Sequence, residues 1–443
     1  MIIVYNGRMI TRDEKNPFIE DGAVLIDGKI IKEVGKTTQL KKKYPKSELI
    51  DAKGGLIMPA FINMHEHIYS AMARGLSIKG YKGNTFLEIL DGQWWKIDRN
   101  LNNNLTYYSA LETYIECIKN GVTTIFDHHA SFGEITNSLD FIEKANNELG
   151  LRSCLCYETS DRDGQKKSDS AIKENIRFIK KCEKDKSDMI KAMFGMHAQF
   201  TLSDKTLEKS MKDIPKGVGV HIHVAEGIED LHACLKDHHK RIVDRLYDFG
   251  ILGEKTMLAH AIYVNEHELD LIKHSNTMVV HNPESNMGNA CGCPPTLRQF
   301  QKGILVGLGS DGYTHDMMES YKVAKLLHQH SNCDATCAWG EIPAMLFENN
   351  AKMANRYFKT PLGKIKKGYS GDVIVVNYIP PTPMNKDNIS GHLLFGINGA
   401  MVNTTICAGK VLMKDRKLQN IDEEKTLAKI REASKVLWKK ING

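Results

Sequence analysis

Short apolar runs recur along most of this chain, and stretches with helical spacing separate them. Such alternation is typical of a mostly parallel sheet covered by helices. Eight units over about 310 residues suit a (β/α)8 TIM-like barrel with insertions, an α/β fold of typically about 250 residues. A doubly wound open sheet is the alternative. The runs end near Met64, Asp127, Glu158, His197, Ala225, His260, His281 and Asp311.

Both ends of the chain show a different pattern, in which apolar and polar residues alternate. The segment from 23 to 34 predicts a hairpin around an Asp-Gly turn, a strong hairpin signal. Segments 371–377 and 405–413 are also strand-like. The pattern therefore predicts that residues 1–55 and 368–422 form one small β-sandwich, which a central barrel domain interrupts.

The predicted barrel domain covers residues 56–367, and residues 423–443 predict a C-terminal helix. Apolar residues recur there at helical spacing among lysines and arginines, which is also compatible with a helix on a membrane surface. We expect the helix to pack its apolar stripe on the body of the protein. The stripe consists of Leu427, Ile430, Leu437 and Ile441.

Composition excludes several classes of protein. The 443 residues carry 60 basic and 54 acidic side chains, a net charge of +6 that is too small to imply nucleic-acid binding. The ten cysteines form no Cys-x-x-Cys pair, and neither a signal peptide nor a membrane-spanning run is present. These features predict a cytoplasmic protein without a membrane partner. The doublets Cys154/Cys156 and Cys291/Cys293 are soft metal ligands or, as we expect, small buried hydrophobes.

The pair His65-x-His67 ends the apolar run 56–64 and is the most informative local feature. In a strand, residues two apart project from one face, so both imidazoles point the same way. Alone the pair is weak evidence, because two nearby histidines arise by chance among eighteen. Further ligand-type side chains end later runs, where a barrel would bring them together. They are His223, Glu226, His260 and Asp311.

Nitrogen donors with one carboxylate favour Zn2+ or Fe2+ over Mg2+. Such a catalytic site makes hydroxide available at neutral pH. His221 and His223 share one strand face, so spacing alone leaves open which of them is a ligand. Glu226 lies where the strand turns into its loop, within reach of a substrate for acid–base catalysis. A charge at a helix N-terminus is the alternative interpretation of Glu226.

Taken together and in order, these motifs resemble the amidohydrolase superfamily, in the branch of cytosine, guanine and adenosine-derivative deaminases and triazine hydrolases. More narrowly, segments 281–287 and 311–316 resemble the aminohydrolase SsnA group. Ala60 and Asn289-Ala290 depart from the family pattern, and neither departure affects a ligand. The motifs are Pro59, Phe61–Asn63, His65 and His67; Arg74 and Gly75; Gly121–Thr124; His223 and Glu226; His260; Asn282, Pro283, Ser285 and Asn286; and Gly307–Gly312.

The resemblance implies one divalent metal, zinc or alternatively iron, and hydrolytic deamination of a purine, pyrimidine or triazine type of heterocycle. Glu226 would move a proton to the substrate, His260 would contact the attacking water, and Asp311 would also accept its proton. A homodimer is implied by analogy alone. The implied ligands are His65, His67, His223 and Asp311.

The sequence says less about substrate contacts. For the candidate residues it predicts only that they lie close to the substrate. Strand-end histidines, the stretch after the first barrel strand and the segment after the last one supply the candidates. Trp94 and Trp95 lie in the same stretch as Glu88 and are as well explained by core packing. The candidates are His197, Arg74, His129, Glu88, Tyr313 and His315.

Two other functions stay open. One is ring-opening hydrolysis of a cyclic amide without loss of ammonia. The fourth predicted strand ends in His197, whereas two-metal members of the family usually carry a carboxylated lysine there, and this favours one metal and deamination. The other is a non-catalytic scaffold, which the retention of the whole ligand set disfavours.

Overall fold

The computed structural model describes residues 1–443 and has mixed α/β content with parallel sheets. Eighteen strands are present. They are β1 (Ile2–Ile10), β2 (Phe18–Asp27), β3 (Ile30–Lys36), β4 (Glu48–Asp51), β5 (Leu56–Pro59), β6 (Phe61–Glu66), β7 (Val122–His129), β8 (Arg152–Tyr157), β9 (Ile190–Ala192), β10 (Phe194–Ala198), β11 (Val220–Val224), β12 (Met257–His260), β13 (Met278–His281), β14 (Val306–Leu308), β15 (Val373–Val376), β16 (Val402–Cys407), β17 (Lys410–Lys414) and β18 (Lys417–Leu418).

Most helices follow a strand and cover the sheets. Short 3-10 segments (Ile68–Ala73, Gln199–Thr201, Gly399–Met401) and two π-helical turns (Leu90–Trp94, Met345–Asn349) interrupt the α-helices. The α-helices are α1 (Thr37–Lys43), α2 (Phe86–Ile89), α3 (Trp95–Asn100), α4 (Asn103–Lys119), α5 (Ser138–Leu149), α6 (Gln165–Glu183), α7 (Asp204–Asp213), α8 (Ile228–His238), α9 (Ile242–Asp248), α10 (Glu266–His274), α11 (Pro283–Gly288), α12 (Thr296–Gln301), α13 (Met317–Asn332), α14 (Glu341–Ala344), α15 (Asn350–Ala354), α16 (Ile389–Gly396) and α17 (Glu423–Asn442).

The centre of the molecule consists of two parallel sheets, in the orders β6-β7-β8-β9 and β10-β11-β12-β13-β14. Only Met193 separates β9 from β10, and its N–H donates to Leu155 O at 3.0 Å. At the other edge, the N–H groups of Ser310 and Asp311 donate to His65 O at 3.0 and 2.9 Å. The eight predicted apolar runs correspond to β6, β7, β8, β10, β11, β12, β13 and β14.

The parallel strands are buried on both faces, which explains their nearly continuous apolar sequence. Successive residues therefore enter different cores. Leu155 packs in the large core shared with the helices, whereas Cys154 and Cys156 pack in a smaller inner core with Phe126 and Met278. Cys154 and Cys156 are thus small buried residues and lie in none of the potential metal-binding clusters.

Both chain ends contribute to one nine-stranded sheet, in the order β18-β17-β16-β15-β5-β1-β2-β3, with β4 paired to β1. A second layer, as in a sandwich, stays a prediction. The predicted strand-like segment 405–413 is a hairpin, because Ala408 and Gly409 have φ angles of 46° and 74° and reverse the chain. A Cβ atom at Gly409 would lie only 1.9 Å from Gly28 O, so only glycine fits there.

The C-terminal helix α17 buries Ile430 and Leu437. Trp438 Nε1 donates to Met72 O at 2.8 Å, which attaches the helix to the segment after β6. None of the helices combines the length and the apolar character needed to cross a lipid bilayer.

Candidate active site

The carboxyl ends of the parallel strands open into a cavity with about 510 Å³ of unfilled space. Histidines, carboxylates and aromatic rings share its surface. The lining residues are His67, Tyr69, Ser70, Leu90, Trp94, Trp95, Glu158, His197, His223, Glu226, Ser285, Asn289, Asp311, Gly312 and Tyr313.

Two histidines lie at the end of β6, and of these His67 lines the cavity. His65 is fully buried, and its Nδ1 lies 2.8 Å from Nε2 of His221, which supports the ring from behind. His65 Nε2 is buried without a hydrogen-bond partner. His67 Nδ1 donates to His128 O at 2.7 Å, so its Nε2 is the ring nitrogen left for another partner. Both Nε2 atoms are therefore available to a ligand.

His223, at the end of β11, is fixed in the same way, because its Nδ1 donates to His197 O at 2.9 Å. Its Nε2 lies 3.1 Å from Nε2 of His67. Two ring nitrogens at this distance require a proton or a metal ion between them, because their lone pairs would otherwise repel. Backbone acceptors that fix the tautomer in this way are typical of metal-ligating histidines.

Asp311 follows β14 and completes this group. Its Oδ1 lies 2.9 Å from Nε2 of His67 and 3.6 Å from Nε2 of His65. Ring nitrogens with one carboxylate form a donor set that suits zinc or iron. His65, His67 and His223, and separately His65, His260 and Asp311, bring their ligand atoms within 4.8 Å of one another. The residues therefore fit a divalent metal, and His221 contacts His65 on the far side of the cluster.

Glu226 and His260 lie beside this cluster. His260 Nδ1 lies 2.8 Å from Asn286 Oδ1, and its Nε2 is unpartnered, 3.5 Å from Glu226 Oε2 and 3.6 Å from Asp311 Oδ2. His260 and Asp311 have φ angles of 72° and 56°, in the left-handed region that side chains other than glycine rarely adopt. Strain of this kind is concentrated at functional sites.

Burial sets the electrostatics of the site. It raises the pKa of Glu226 to about 7, aided by the charge of Asp311, whereas His260 opposes the shift. Burial lowers the pKa of His65 to about 4. Burial alone would lower the pKa of His67, but the nearby carboxylate of Asp311 has the larger effect and raises this pKa to about 9. A metal that binds His67 at neutral pH must therefore displace a proton.

Of the six residues predicted to contact substrate, the structure brings His197 and Tyr313 to the cavity. His197 Nδ1 lies 2.8 Å from Thr201 Oγ1, and its ring packs edge-on against Trp95. Tyr313 is 46% exposed and lies near the cavity mouth. Trp94 and Trp95, which the sequence left ambiguous, both line the cavity.

The structure does not bring the other four to the cavity lining. Arg74 is exposed and pairs with Glu112 at 3.4 Å. The Glu88 side chain accepts the Asn84 N–H, because it lies at the start of helix α2. Two further residues are turned away by packing. His129 packs edge-on against Tyr69 and Tyr157, and His315 faces Glu66 and Glu112.

Several lining residues were not identified from the sequence. Glu158 immediately follows a predicted strand, so the strand-end argument used for the histidines would have found it. Asn289 lies just beyond the Ser285-Asn286 motif and donates to Glu226 Oε1 at 3.4 Å. Leu90 lies in a π-helical turn, for which the sequence carries no signal.

The sequence model of the amidohydrolase family matches residues 56–412. The chain therefore belongs to the amidohydrolase family and is a hydrolase of carbon–nitrogen bonds. It is 30% identical to the 5'-deoxyadenosine deaminase of Methanosarcina mazei, over 100% of this chain and 99% of that protein. It is 31% identical to the enzyme of the same name from Methanosarcina acetivorans, with coverage of 100% and 99%.

Solved structures share the fold. An adenosine deaminase from Xanthomonas campestris with bound zinc superposes with a TM-score of 0.86 at 18% identity, over 98% of each chain. Atrazine chlorohydrolase from Arthrobacter aurescens, also with zinc, superposes with a TM-score of 0.84 at 20% identity, over 98% of this chain and 100% of that one. The predicted superfamily is confirmed, and the narrower SsnA assignment stays a prediction.

Proposed function

We propose that this protein is a metal-dependent aminohydrolase that replaces an amino group of a nitrogen heterocycle with oxygen and releases ammonia. The observation that carries the proposal is the convergence of His65, His67, His223 and Asp311 next to Glu226 at one cavity. Relatives that match essentially the whole chain are named as deaminases of a purine nucleoside, which supports the same class of reaction.

The donor set supports a single divalent ion held by three ring nitrogens and one carboxylate. We propose zinc, which two neighbouring structures contain, with iron as the alternative. When bound, such an ion supplies a water that is activated for attack at neutral pH. The proposed ligand atoms are Nε2 of His65, Nε2 of His67, Nε2 of His223 and Oδ1 of Asp311.

The surrounding residues would move the protons. Glu226 faces the cavity and, with a pKa near 7, exchanges a proton readily at neutral pH. In the proposed mechanism it protonates the ring nitrogen next to the attacked carbon, takes a proton back from the newly added hydroxyl group and passes it to the departing amine; the proton that Asp311 accepts from the water afterwards restores the protonated form of Glu226. His260 Nε2 and Asp311 Oδ2, 3.6 Å apart, orient the attacking water, and Asp311 accepts its proton. Carbon gains oxygen, and ammonia leaves.

Ammonia release from a panel of heterocycles tests this function. We would assay 5'-deoxyadenosine, adenosine, guanine, 8-oxoguanine, cytosine and hydroxytriazines, and identify the product by mass. The expected product has NH exchanged for O. Glu226→Gln should lower kcat by about 10² to 10⁴, because one acid–base group contributes that much, and should keep the metal content of the wild type.

Other outcomes would contradict deamination. A product heavier by one water, formed without ammonia, would establish ring opening of a cyclic amide. Turnover of no heterocycle, together with less than half an equivalent of bound zinc or iron, would favour a scaffold. Equal ammonia release by the wild type and Glu226→Gln would remove Glu226 from the mechanism.

We also propose that the parallel strands close into one (β/α)8 barrel domain over residues 56–367. The backbone hydrogen bonds that join the two sheets at both edges support this proposal. The sandwich of residues 1–55 and 368–422, the homodimer and the cytoplasmic location stay predictions, as does the separate status of the helix at 423–443.

A further inference from the structure

One carboxylate on the cavity wall has no part in the proposed reaction. Glu158 follows β8, is only 3% exposed, and lines the cavity with His197 and His223. Its Oε1 accepts a hydrogen bond from Arg162 at 3.3 Å. Its Oε2 accepts none from the protein, and His128 Nδ1 lies 3.7 Å away, beyond hydrogen-bonding distance. One carboxylate oxygen at the cavity wall is thus left for a ligand.

Glu158 is held in place by a buried cation. The guanidinium of Arg162 contacts Glu158 and also binds Asp98 at 2.5 Å, and its side chain is only 4% exposed. It also packs 4.0 Å over the ring of Phe132. This arrangement holds the carboxylate of Glu158 from behind and leaves the guanidinium outside the cavity lining. The free oxygen is therefore fixed in position before a ligand binds.

Apart from the metal cluster, where the reacting ring would bind, the cavity lining offers no cationic side chain that could pair with an anionic substituent. None of its lining residues is a lysine or an arginine, whereas Glu158, Glu226 and Asp311 are all acidic. A phosphate or carboxylate that the bound ring keeps away from the metal would lose its water shell next to these groups without gaining a charged partner, which is costly. Trp94 and Trp95 instead offer flat apolar surface, against which an uncharged ring can pack.

We propose that Glu158 is a substrate-binding residue that accepts hydrogen bonds from N–H or O–H groups of an uncharged heterocycle, and that the cavity rejects substrates bearing phosphate or carboxylate. The inference rests on the proposed aminohydrolase function and narrows its substrate class. Free bases and unphosphorylated nucleosides belong to that class, and nucleotides lie outside it.

The first experiment compares matched compounds that differ only in charge. The wild-type enzyme with its bound metal is given adenosine and adenosine 5'-monophosphate, and guanosine and guanosine 5'-monophosphate. Ammonia release and the shift in thermal unfolding temperature are measured. We expect each phosphate to reduce kcat/KM by about 100-fold or more, and to remove the thermal shift, because its charge stays unpaired. A phosphorylated compound within about threefold of its parent would overturn the proposal.

The second experiment tests Glu158 itself. Asp163 provides the matched control, because its carboxylate contacts the same arginine, Arg162, at 3.5 Å and also Arg99 at 2.9 Å, but lies outside the cavity lining. Glu158→Gln should raise KM about tenfold or more and change kcat less, because a charge-assisted hydrogen bond is lost. Asp163→Asn should leave KM within about twofold, since its ion pairs lie away from the substrate.

The outcomes separate the two proposals. If uncharged heterocycles release ammonia and Glu158→Gln keeps the wild-type KM, the assignment of Glu158 is wrong while the aminohydrolase function stands. An equal rise of KM in Asp163→Asn would also overturn it, because Glu158 would then act only through Arg162. If no heterocycle releases ammonia, the proposed function fails, and the assignment of Glu158 fails with it.

Discussion

The two sides of the cavity are built differently. On the first, which we call the histidine wall, the backbone carbonyls of residues 128 and 197 fix the rings of His67 and His223. On the second, the aromatic wall, side chains come from segments between the strands, and all but the buried Leu90 are partly exposed. The histidine wall consists of His67, His223 and Asp311, which line the cavity, together with the fully buried His65, and the aromatic wall consists of Leu90, Trp94, Trp95, Asn289 and Tyr313.

This difference assigns metal binding and catalysis to the histidine wall and substrate specificity to the aromatic wall. Strand ends are rigid, because each is hydrogen-bonded to its neighbours, so the histidine wall can hold its donors within the tolerance that a metal requires. The loops of the aromatic wall can change in length and sequence without disturbing the sheets. We therefore expect substitutions in the histidine wall to abolish turnover, and substitutions in the aromatic wall to change substrate affinity.

The largest expected effect comes from the histidine wall. His67→Ala removes one proposed ligand. It should lower activity by about 10³-fold or more, because the remaining ligands bind the catalytic metal only weakly. Metal content measured by mass spectrometry should fall in parallel. His267→Ala, at an exposed position on α10, is the control and should keep both. Stoichiometric zinc in an inactive His67→Ala enzyme would show that His67 is not a ligand.

A smaller effect is expected for a residue that contacts His260 and lies outside the proposed ligand set. Asn286 is buried, and its Oδ1 lies 2.8 Å from Nδ1 of His260. Asn286→Ala should lower kcat/KM about 10- to 100-fold by releasing the His260 ring, with zinc retained. Asn286→Asp keeps an acceptor at that position and should recover part of the loss. Wild-type rates in Asn286→Ala would mean that His260 needs no such support.

The smallest effect is expected on the aromatic wall. Trp95→Ala removes the ring that packs edge-on against His197 and should raise KM about tenfold while kcat changes little, since it deletes contact surface and no reacting group. Trp95→Phe keeps an aromatic ring, so its KM should lie between those of Trp95→Ala and the wild type. Loss of zinc or a collapse of kcat in Trp95→Ala would contradict the separation of the two walls.

The sequence predicted the strand positions well, because buried parallel strands leave a strong apolar signal. It also predicted the side chains that end those strands. It was less informative about the segments between them. Glu88 was predicted to approach the substrate but lies at the start of a helix, whereas Glu158, at a strand end, lines the cavity. The spacing of Thr85 and Glu88 is a local signal of a helix start, but it does not tell whether the glutamate also reaches the cavity.

By itself, the sequence determined which ligand-type residues end buried strands, because the strand period assigns each side chain to a face. Strand spacing left open which of His221 and His223 is a ligand; the tertiary structure places His223 in the cavity cluster, as the family resemblance implied, and places His221 behind His65. The physical reason is distance along the chain: 156 positions separate His65 from His221, and only the paired sheets determine how such residues meet.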